Sequence, residues 1–190
     1  MARFNVHTPE TAPAPSVDIL KALEETIGFI PNVFAVIAGT PVVLEAFAML
    51  NQKFSDASLT ETEREVLQMA VSVENLCGYC VAGHTAFALN HGVPAQTVRA
   101  LRREDILTDE RLNALAVFAR AVVVAKGRIG DAELHRFLAA GFKMEQVQEV
   151  VLGICVKTFS NLISNLLDVP LDDAFQTHRW QPSGALQNAE

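Results

Sequence analysis

The sequence predicts an all-α fold, an expectation that rests on three observations. Apolar residues recur every three to four positions through most of the 190 residues, which is the period of one helix face. Helix start and stop signals separate these stretches. Strand-like alternation of apolar and polar residues is missing, and the best strand candidate, AVVVA at 121–125, lies inside a helical pattern.

Length and composition predict one helical domain at residues 16–170, between an extended arm at 1–15 and a C-terminal tail at 171–190. The arm is rich in proline. Half of the chain is hydrophobic (50%), which is too apolar for disorder. That fraction is also high for a monomer of this size, so we expect some apolar surface to be buried between subunits.

The first three helices are predicted from their ends. Ser16 is expected to cap the first helix and Gly28 to stop it. A Thr-Pro pair beginning at Thr40 marks the start of the second helix. Thr60 and Glu63 have the spacing of a capping box and mark the start of the third.

The next helix contains the chemically active side chains. Asn75 is expected to cap this helix, which continues through Cys77, Cys80 and His84 and stops at Gly92. Further helical segments are predicted at 94–103, 109–126, 131–140 and 144–167.

The net charge of −7 argues against nucleic acid or an anionic membrane surface as a partner, because both are bound through clusters of Lys and Arg. The longest apolar stretch, 150–167, is interrupted by Lys157 and is shorter than the ~20 residues of a membrane span. The N-terminus lacks the apolar segment of a signal peptide. We therefore expect no membrane partner and a cytoplasmic location.

Two cysteines and a histidine have the spacing of one helix face. Cys77, Cys80 and His84 occupy positions i, i+3 and i+7, so their side chains can converge. The helix dipole favours a thiolate at Cys77, whereas His84 is one turn beyond Cys80 and near enough to take its proton. A thiolate attacks peroxides and disulfides, and a second thiol three residues away can convert a sulfenic acid into a disulfide.

Two other interpretations of these residues stay open. Free cysteines are often buried as small hydrophobic side chains. Alternatively, the two thiols and the imidazole supply three metal ligands, but zinc usually takes a fourth. The remaining cysteine, Cys155, lies in an apolar helix without a partner motif. In the cytoplasm a CxxC pair is more often catalytic, redox-active or metal-binding than a structural disulfide.

The run E-x11-C-x2-C-x3-H, formed by Glu65, Cys77, Cys80 and His84, resembles the AhpD-like alkylhydroperoxidase branch of the carboxymuconolactone decarboxylase superfamily. The flanking segments IGFIPNVFAVIAGTPVVLEAF and AGFKMEQVQEVVLGICVKTFSN also resemble that family, so the likeness covers about residues 19–168. It implies a helical domain that forms trimers or hexamers and reduces hydroperoxides with thiols.

The resemblance also implies a role for each residue. Cys80 would attack the peroxide, Cys77 would resolve the sulfenic acid, and His84 and Glu65 would relay the proton. The partners implied are a hydroperoxide substrate and an external dithiol or protein reductant, with no cofactor and no metal. Two alternatives remain. One is a redox sensor or oligomeric binding protein that does not turn over, and the other is a decarboxylase that does not need the thiols.

One residue of the motif differs from the family, and further expectations come from the positions of polar residues alone. Tyr79 stands where AhpD has a histidine, and its phenol cannot shuttle protons at neutral pH, so we expect it to pack. From its position alone Glu65 is an exposed first-turn carboxylate, and Glu74 lies nearer the thiols; the resemblance selects Glu65. His91 is expected to cap its helix. Four polar residues of the last long helix form a polar seam that we expect to be an exposed stripe, the alternative being a polar lining that faces the thiols or a neighbouring subunit: Lys157, Asn161, Ser164 and Asp168.

Overall fold

The computed structural model describes residues 4–182 and is all-α: this part of the chain contains no strand. The first three residues of the predicted arm and the last eight of the predicted tail lie outside the described residues. The helices are α1 (Ala14–Ile27), α2 (Asn32–Ile37), α3 (Pro41–Ser55), α4 (Glu61–Glu74), α5 (Gly78–Asn90), α6 (Ala95–Arg103), α7 (Glu110–Val124), α8 (Asp131–Ala139) and α9 (Met144–Leu167), followed by a 3₁₀ helix (Asp173–His178).

The predicted capping box at the start of α4 is confirmed. The backbone N–H of Glu63 donates to Oγ1 of Thr60 over 3.2 Å, and the backbone N–H of Thr60 donates to Oε2 of Glu63 over 2.7 Å. Two amide groups that have no partner inside the helix are satisfied in this way. The capping box therefore fixes the first residue of α4.

The predicted cap at Ser16 is wrong. α1 begins at Ala14, with Pro13 in the cap position, because the fixed φ of a proline suits the first turn of a helix. Ser16 is buried inside that turn, and its hydroxyl donates to the backbone oxygen of Ala38 over 2.8 Å. The serine therefore ties α1 to the end of α2 rather than starting a helix.

The predicted cap at Asn75 is also wrong. Asn75 ends α4, and Leu76 follows in the left-handed region with φ 52°. The N-cap of α5 is Cys77, whose sulfur accepts the backbone N–H of Cys80 over 3.4 Å. One of the two thiols therefore both ends the reversal between α4 and α5 and lies at the N-terminus of α5.

α4 lies at the centre of the fold and packs against α5, α6, α7 and α9. Helix α9 packs against α3, α4, α5 and α7, and Gly153 allows a close approach: a Cβ there would lie 2.6 Å from the ring of Phe54 and 2.8 Å from Leu67. By length and composition α9 is apolar enough to cross a membrane. Its packing against five helices, α2 included, is instead that of a core helix in a globular domain.

The C-terminal segment packs on the start of α5 as far as it is described. Phe175 of the 3₁₀ helix is buried, and a Cβ at Gly83 of α5 would lie 3.2 Å from its ring. Arg102 of α6 donates to the backbone oxygens of His178 and Arg179, and the indole N–H of Trp180 donates to the backbone oxygen of Arg102. This segment therefore covers the helix that holds both thiols.

Candidate functional site

The two thiols lie at the N-terminus of α5, where α5 meets α4 and α9. Cys77 is fully buried and Cys80 is 3% exposed. The Cys80 sulfur lies 3.9 Å from Oγ of Ser160 and 3.8 Å from Oγ of Ser164, both on α9. Cys80 therefore faces polar groups of a neighbouring helix, in a region that excludes bulk water.

His84 and Glu65 form a buried pair although they are 19 residues apart. Nδ1 of His84 lies 2.9 Å from Oε2 of Glu65, and the two side chains are 12% and 8% exposed. The reversal between α4 and α5 turns the chain back, so that the first turn of α4 lies beside the middle of α5. Glu74, at the other end of α4, has no hydrogen bond or salt bridge to this cluster within residues 4–182.

The electrostatics of this pair favour the carboxylate form of Glu65. Burial alone would raise its pKa, but the charge of His84 and its hydrogen bond lower it, with smaller contributions from His91 and Lys157. The outcome is a pKa below the usual value for glutamate.

The two thiols differ sharply in acidity. Burial raises the pKa of Cys80, but the hydrogen bond with Cys77 and the positive charges of Lys157 and His84 bring it well below its ordinary value. Cys77 shifts in the opposite direction: its hydrogen bond to Cys80 and then its burial raise its pKa. The pair can therefore hold one thiolate, on Cys80, beside one protonated thiol, on Cys77.

The expected exposed stripe on α9 is wrong for three of its four residues. Lys157 is 6% exposed, Asn161 is fully buried and Ser164 is 4% exposed, whereas Asp168 is exposed. These three residues have spacings of four and three, so they share the helix face that packs against α4 and α5. Polar side chains at helical spacing in an otherwise apolar core helix are the signal by which the sequence could have indicated them.

Lys157 reaches the second ring nitrogen of His84. Its Nζ lies 2.5 Å from Nε2 of His84, so the imidazole is held between Glu65 on one side and Lys157 on the other. This position fits the alternative interpretation of the polar seam, a lining that faces the thiols, rather than the exposed stripe. Neither ring nitrogen of His84 has Cys80 as a hydrogen-bond partner among the described residues.

Tyr79 packs, as expected, and also makes polar contacts. Its ring lies edge-on to Phe175. Its hydroxyl donates to Oδ2 of Asp172 over 2.6 Å, and the hydroxyl oxygen of Tyr79 also accepts a hydrogen bond of 3.1 Å from the backbone N–H of Val33. Burial raises the pKa of the phenol further above its usual value. Tyr79 is therefore a structural link between α5 and the C-terminal segment.

His91 is the C-cap residue of α5, as expected. Its Nδ1 also lies 3.6 Å from Oε1 of Glu65, and its Nε2 lies 3.5 Å from Oε1 of Glu61. The carboxylate of Glu65 thus has imidazoles on both of its oxygens, one buried and one partly exposed.

A cavity of about 980 Å³ opens beside the thiol site. Cys80, His84 and Lys157 lie on its polar side. Its remaining wall is largely apolar and includes Phe34, Phe47, Phe87 and Phe175. Cys80 therefore lies in the wall of a cavity large enough to hold an organic molecule.

No group of three or more His, Cys, Asp and Glu side chains in the described ranges is arranged to hold a metal ion. The polar groups that surround the Cys80 sulfur are serine hydroxyls, and the nearest basic side chain on α9 is a lysine. A protonated lysine has no lone pair to offer a metal.

Comparison with known proteins agrees with this architecture. The sequence profile of the carboxymuconolactone decarboxylase family matches residues 41–122. The solved structure of an AhpD-core, peroxidase-related protein from Ralstonia eutropha matches with a TM-score of 0.81 and 25% identity, over 91% of this chain and 93% of that one. No protein of curated function matches the sequence significantly.

Two further solved structures share the fold at lower identity. A peroxidase-related protein from a Silicibacter species matches with a TM-score of 0.79 and 21% identity, over 91% of this chain and 92% of that one. The debrominase Bmp8 matches with a TM-score of 0.73 and 18% identity, over 87% of this chain and 88% of that one.

Proposed function

This chain belongs to the AhpD and carboxymuconolactone decarboxylase superfamily, and from that premise we propose that it is a thiol-dependent hydroperoxide reductase. One observation supports this proposal above the others: a buried CxxC pair at the N-terminus of α5, in which the Cys77 sulfur accepts the N–H of Cys80 and Cys80 shares a cavity wall with His84 and Lys157. The charges of those two residues help to lower the pKa of Cys80, whereas the pKa of Cys77 is raised. A nucleophile and a resolving thiol need that asymmetry. The structural relatives described as peroxidase-related proteins fit the same activity.

The proposed reaction uses the two thiols in sequence. The Cys80 thiolate attacks the distal oxygen of the hydroperoxide, the O–O bond breaks, and Cys80 becomes a sulfenic acid while an alkoxide leaves and takes up a proton. The Cys77 thiol then condenses with the sulfenic acid, which forms the Cys77–Cys80 disulfide and releases water. The pair of His84 and Glu65 would be part of the proton relay that takes up the Cys80 proton and supplies one to the leaving oxygen, directly or through a neighbouring group.

The cycle needs an external reductant, because the disulfide must be converted back into two thiols. We propose a dithiol or a protein reductant for this step. The apolar cavity beside Cys80 supports an organic hydroperoxide as the substrate. A cytoplasmic location, where such reductants keep thiols reduced, is part of the same proposal.

The test is consumption of an organic hydroperoxide with excess dithiol by wild type, Cys80→Ser and Cys77→Ser. We expect continued turnover by wild type and loss of turnover in both variants, with Cys77→Ser retaining about one equivalent of consumption. Cys155→Ser, which changes an exposed thiol, is the matched control and should behave like wild type. Wild type that stops after about one equivalent would instead be a redox sensor.

A second candidate function is reductive dehalogenation of an aromatic compound, by analogy with the debrominase that shares the fold. The observation that favours it is the aromatic wall of the cavity that leads to Cys80. In that reaction two thiols and an aryl bromide would give the dehalogenated ring, a disulfide and hydrogen bromide. Bromide release from a bromopyrrole with dithiol, compared with hydroperoxide consumption under the same conditions, separates the two activities.

We also propose that the protein is a homo-oligomer. Apolar side chains exposed along α9 support this: Met144 (54%), Val151 (44%), Leu162 (64%) and Leu166 (68%). Light scattering of the full chain should give a multiple of the 20.7 kDa monomer mass. A monomer at micromolar concentration would contradict the proposal.

A further inference from the structure

Lys157 is a buried cation whose place in the fold calls for a negative partner. It is 6% exposed, and no salt bridge joins it to a carboxylate within the part of the chain that the structure describes. Its Nζ lies 2.5 Å from Nε2 of His84. Burying a charge is costly unless an opposite charge or strong hydrogen bonds compensate it. Two anionic groups are near enough to feel its charge: the Glu65 carboxylate on the far side of His84 and the thiolate form of Cys80.

The contacts of His84 assign its ring proton once Lys157 is taken as an ammonium. A lysine ammonium has only donors, so Nε2 of His84 accepts the bond from Lys157. The ring proton then lies on Nδ1, which donates to the carboxylate of Glu65. Because Nε2 is already occupied by Lys157, it is not available to take a proton directly from Cys80. The group that occupies Nε2, Lys157, lines the same cavity as Cys80.

Cys80 faces the same side of α9. Ser160, one helical turn from Lys157, has its Oγ 3.9 Å from the Cys80 sulfur and donates to the backbone oxygen of Lys157 over 3.0 Å. Lys157 and Cys80 also line the same cavity. The other ionisable groups around Cys80 are Cys77 on its own helix and the Tyr79–Asp172 pair at the C-terminal segment. None of these is a cation, so in this protonation state Lys157 supplies the positive charge.

We propose that Lys157 connects Cys80 to the His84–Glu65 pair, holding the Cys80 thiolate as its counterion and delivering the proton to the leaving oxygen. The inference rests on the proposed peroxidase function. In the resting site Cys80 is a thiolate and Lys157 an ammonium. When the thiolate takes the distal OH of ROOH, RO⁻ leaves, and Lys157 gives it a proton to form ROH. The proton lost by Cys80 thus leaves with the alcohol, and the neutral amine is recharged when the disulfide is later reduced to two thiols.

The first arm of the test measures the thiolate without any peroxide. The rate of Cys80 alkylation by iodoacetamide is followed against pH, with fragmentation mass spectrometry to separate Cys80 from Cys77 and Cys155. Lys157→Met should shift the midpoint of the Cys80 profile upward by about one to three pH units, because an opposite charge has been removed. Lys157→Arg, which keeps the charge, should leave the midpoint near that of wild type. Lys21→Met, at an exposed lysine outside the site, is the control.

The second arm measures proton delivery, at a pH where the first arm shows Cys80 fully ionised in every protein. The leaving group of cumene hydroperoxide is a strongly basic alkoxide, which needs a proton. The leaving group of peracetic acid is a weakly basic carboxylate, which does not. The rate at which Lys157→Met reduces cumene hydroperoxide should fall by about 10²-fold or more relative to wild type, and its rate with peracetic acid should fall much less. Lys157→Arg should show the same selective loss, because a guanidinium keeps its protons.

Other results overturn the inference. An alkylation midpoint unchanged in Lys157→Met removes the counterion role, and equal losses with both oxidants remove the proton-donor role. If Lys157→Met does not fold, as judged by circular dichroism, Lys157→Arg decides: wild-type turnover of cumene hydroperoxide by that variant contradicts proton delivery. If wild type itself consumes no peroxide, the proposed function fails, while the alkylation arm still decides whether Lys157 holds the thiolate.

Discussion

The hydroxyl of Tyr79 donates a hydrogen bond of 2.6 Å to Asp172, which joins the residue beside Cys80 to the C-terminal segment. Oδ1 of Asp172 also accepts the backbone N–H of Asn32 over 3.0 Å. Three separate parts of the chain therefore meet at one carboxylate: the N-terminus of α2, the N-terminus of α5 and the segment after α9. AhpD has a histidine beside the second cysteine, whereas this protein has Tyr79, whose hydroxyl links α5 to the C-terminal segment and to α2.

Tyr79→Phe should destabilise the fold without removing the chemistry. The change leaves Asp172 with fewer donors and the backbone N–H of Val33 without its acceptor, at a cost of about 1–3 kcal/mol. Peroxide turnover per folded molecule should persist, because the phenol lies outside the proton path. Urea unfolding and turnover, measured on the same preparation, test both statements.

The matched comparison is a double-mutant cycle with Asp172→Asn, which should show coupling between the two side chains. A Tyr79→Phe variant that keeps its stability but loses turnover would place the phenol in the reaction instead.

Glu65→Gln should lower stability at neutral pH and flatten its dependence on acid. The folded pKa of Glu65 lies below that of the unfolded chain, because His84 outweighs the effect of burial. The ionised carboxylate therefore stabilises the fold above the unfolded pKa of about 4.3, and this contribution is lost as the pH falls through the lower folded pKa. Urea unfolding from pH 7 to pH 3 should show a steeper loss for wild type than for the variant.

Glu74→Gln is the control, since this carboxylate lies at the other end of α4 and has no hydrogen bond to the site in the described part of the chain. Its change should stay within about 0.5 kcal/mol. Equal acid sensitivity of wild type and Glu65→Gln would show that the buried pair contributes nothing to the folded state.

The two thiols should be labelled in a fixed order. In the reduced protein at pH 7, iodoacetamide should modify Cys80 before Cys77, because the pKa of Cys80 is lowered while that of Cys77 is raised. Cys80 should keep reacting as the pH is lowered below the usual thiol pKa of about 8.5. Exposed Cys155 gives the rate for an accessible thiol in the same sample. Faster labelling of Cys77 would assign the attack on peroxide to that residue.

Gly153→Ala should destabilise the protein by about 1–3 kcal/mol. The added Cβ would lie 2.6 Å from Phe54 and 2.8 Å from Leu67, so α9 must move away from α3 and α4. Alanine is the better helix former by about 1 kcal/mol, which partly offsets this cost. Thermal unfolding checks the sign, and Cys155→Ala, at an exposed position of the same helix, should change stability by no more than about 0.5 kcal/mol.

The same substitution should also affect the site, because Lys157 lies one turn beyond Gly153 and moves with α9. We expect a rise in the pH at which Cys80 ionises, in the same direction as for Lys157→Met but smaller. A Gly153→Ala protein as stable as wild type would mean that the packing of α9 relaxes freely at this position.

Much of the fold could be predicted because helices are encoded locally. The period of apolar residues indicated the long helices, and the capping box at Thr60 and Glu63 fixed one helix start to the residue. Two other helix starts were misplaced. The hydroxyl of Ser16 bonds to the backbone oxygen of Ala38 in the core and does not cap a helix. Leu76 adopts a left-handed conformation, so α5 begins only at the residue after Cys77. Neither the distant partner nor the backbone reversal leaves a local signal.

The sequence by itself determined that the chain is helical and that two thiols and an imidazole share one helix face, because spacing along a helix sets which side chains lie together. Resemblance to a family added Glu65, which spacing alone could not select. Only the tertiary structure decided which polar residues of α9 are buried, since an amphipathic pattern does not say which neighbour covers a given face. Packing against α4 and α5 placed Lys157 against His84, and that contact joins two residues 73 positions apart in the chain.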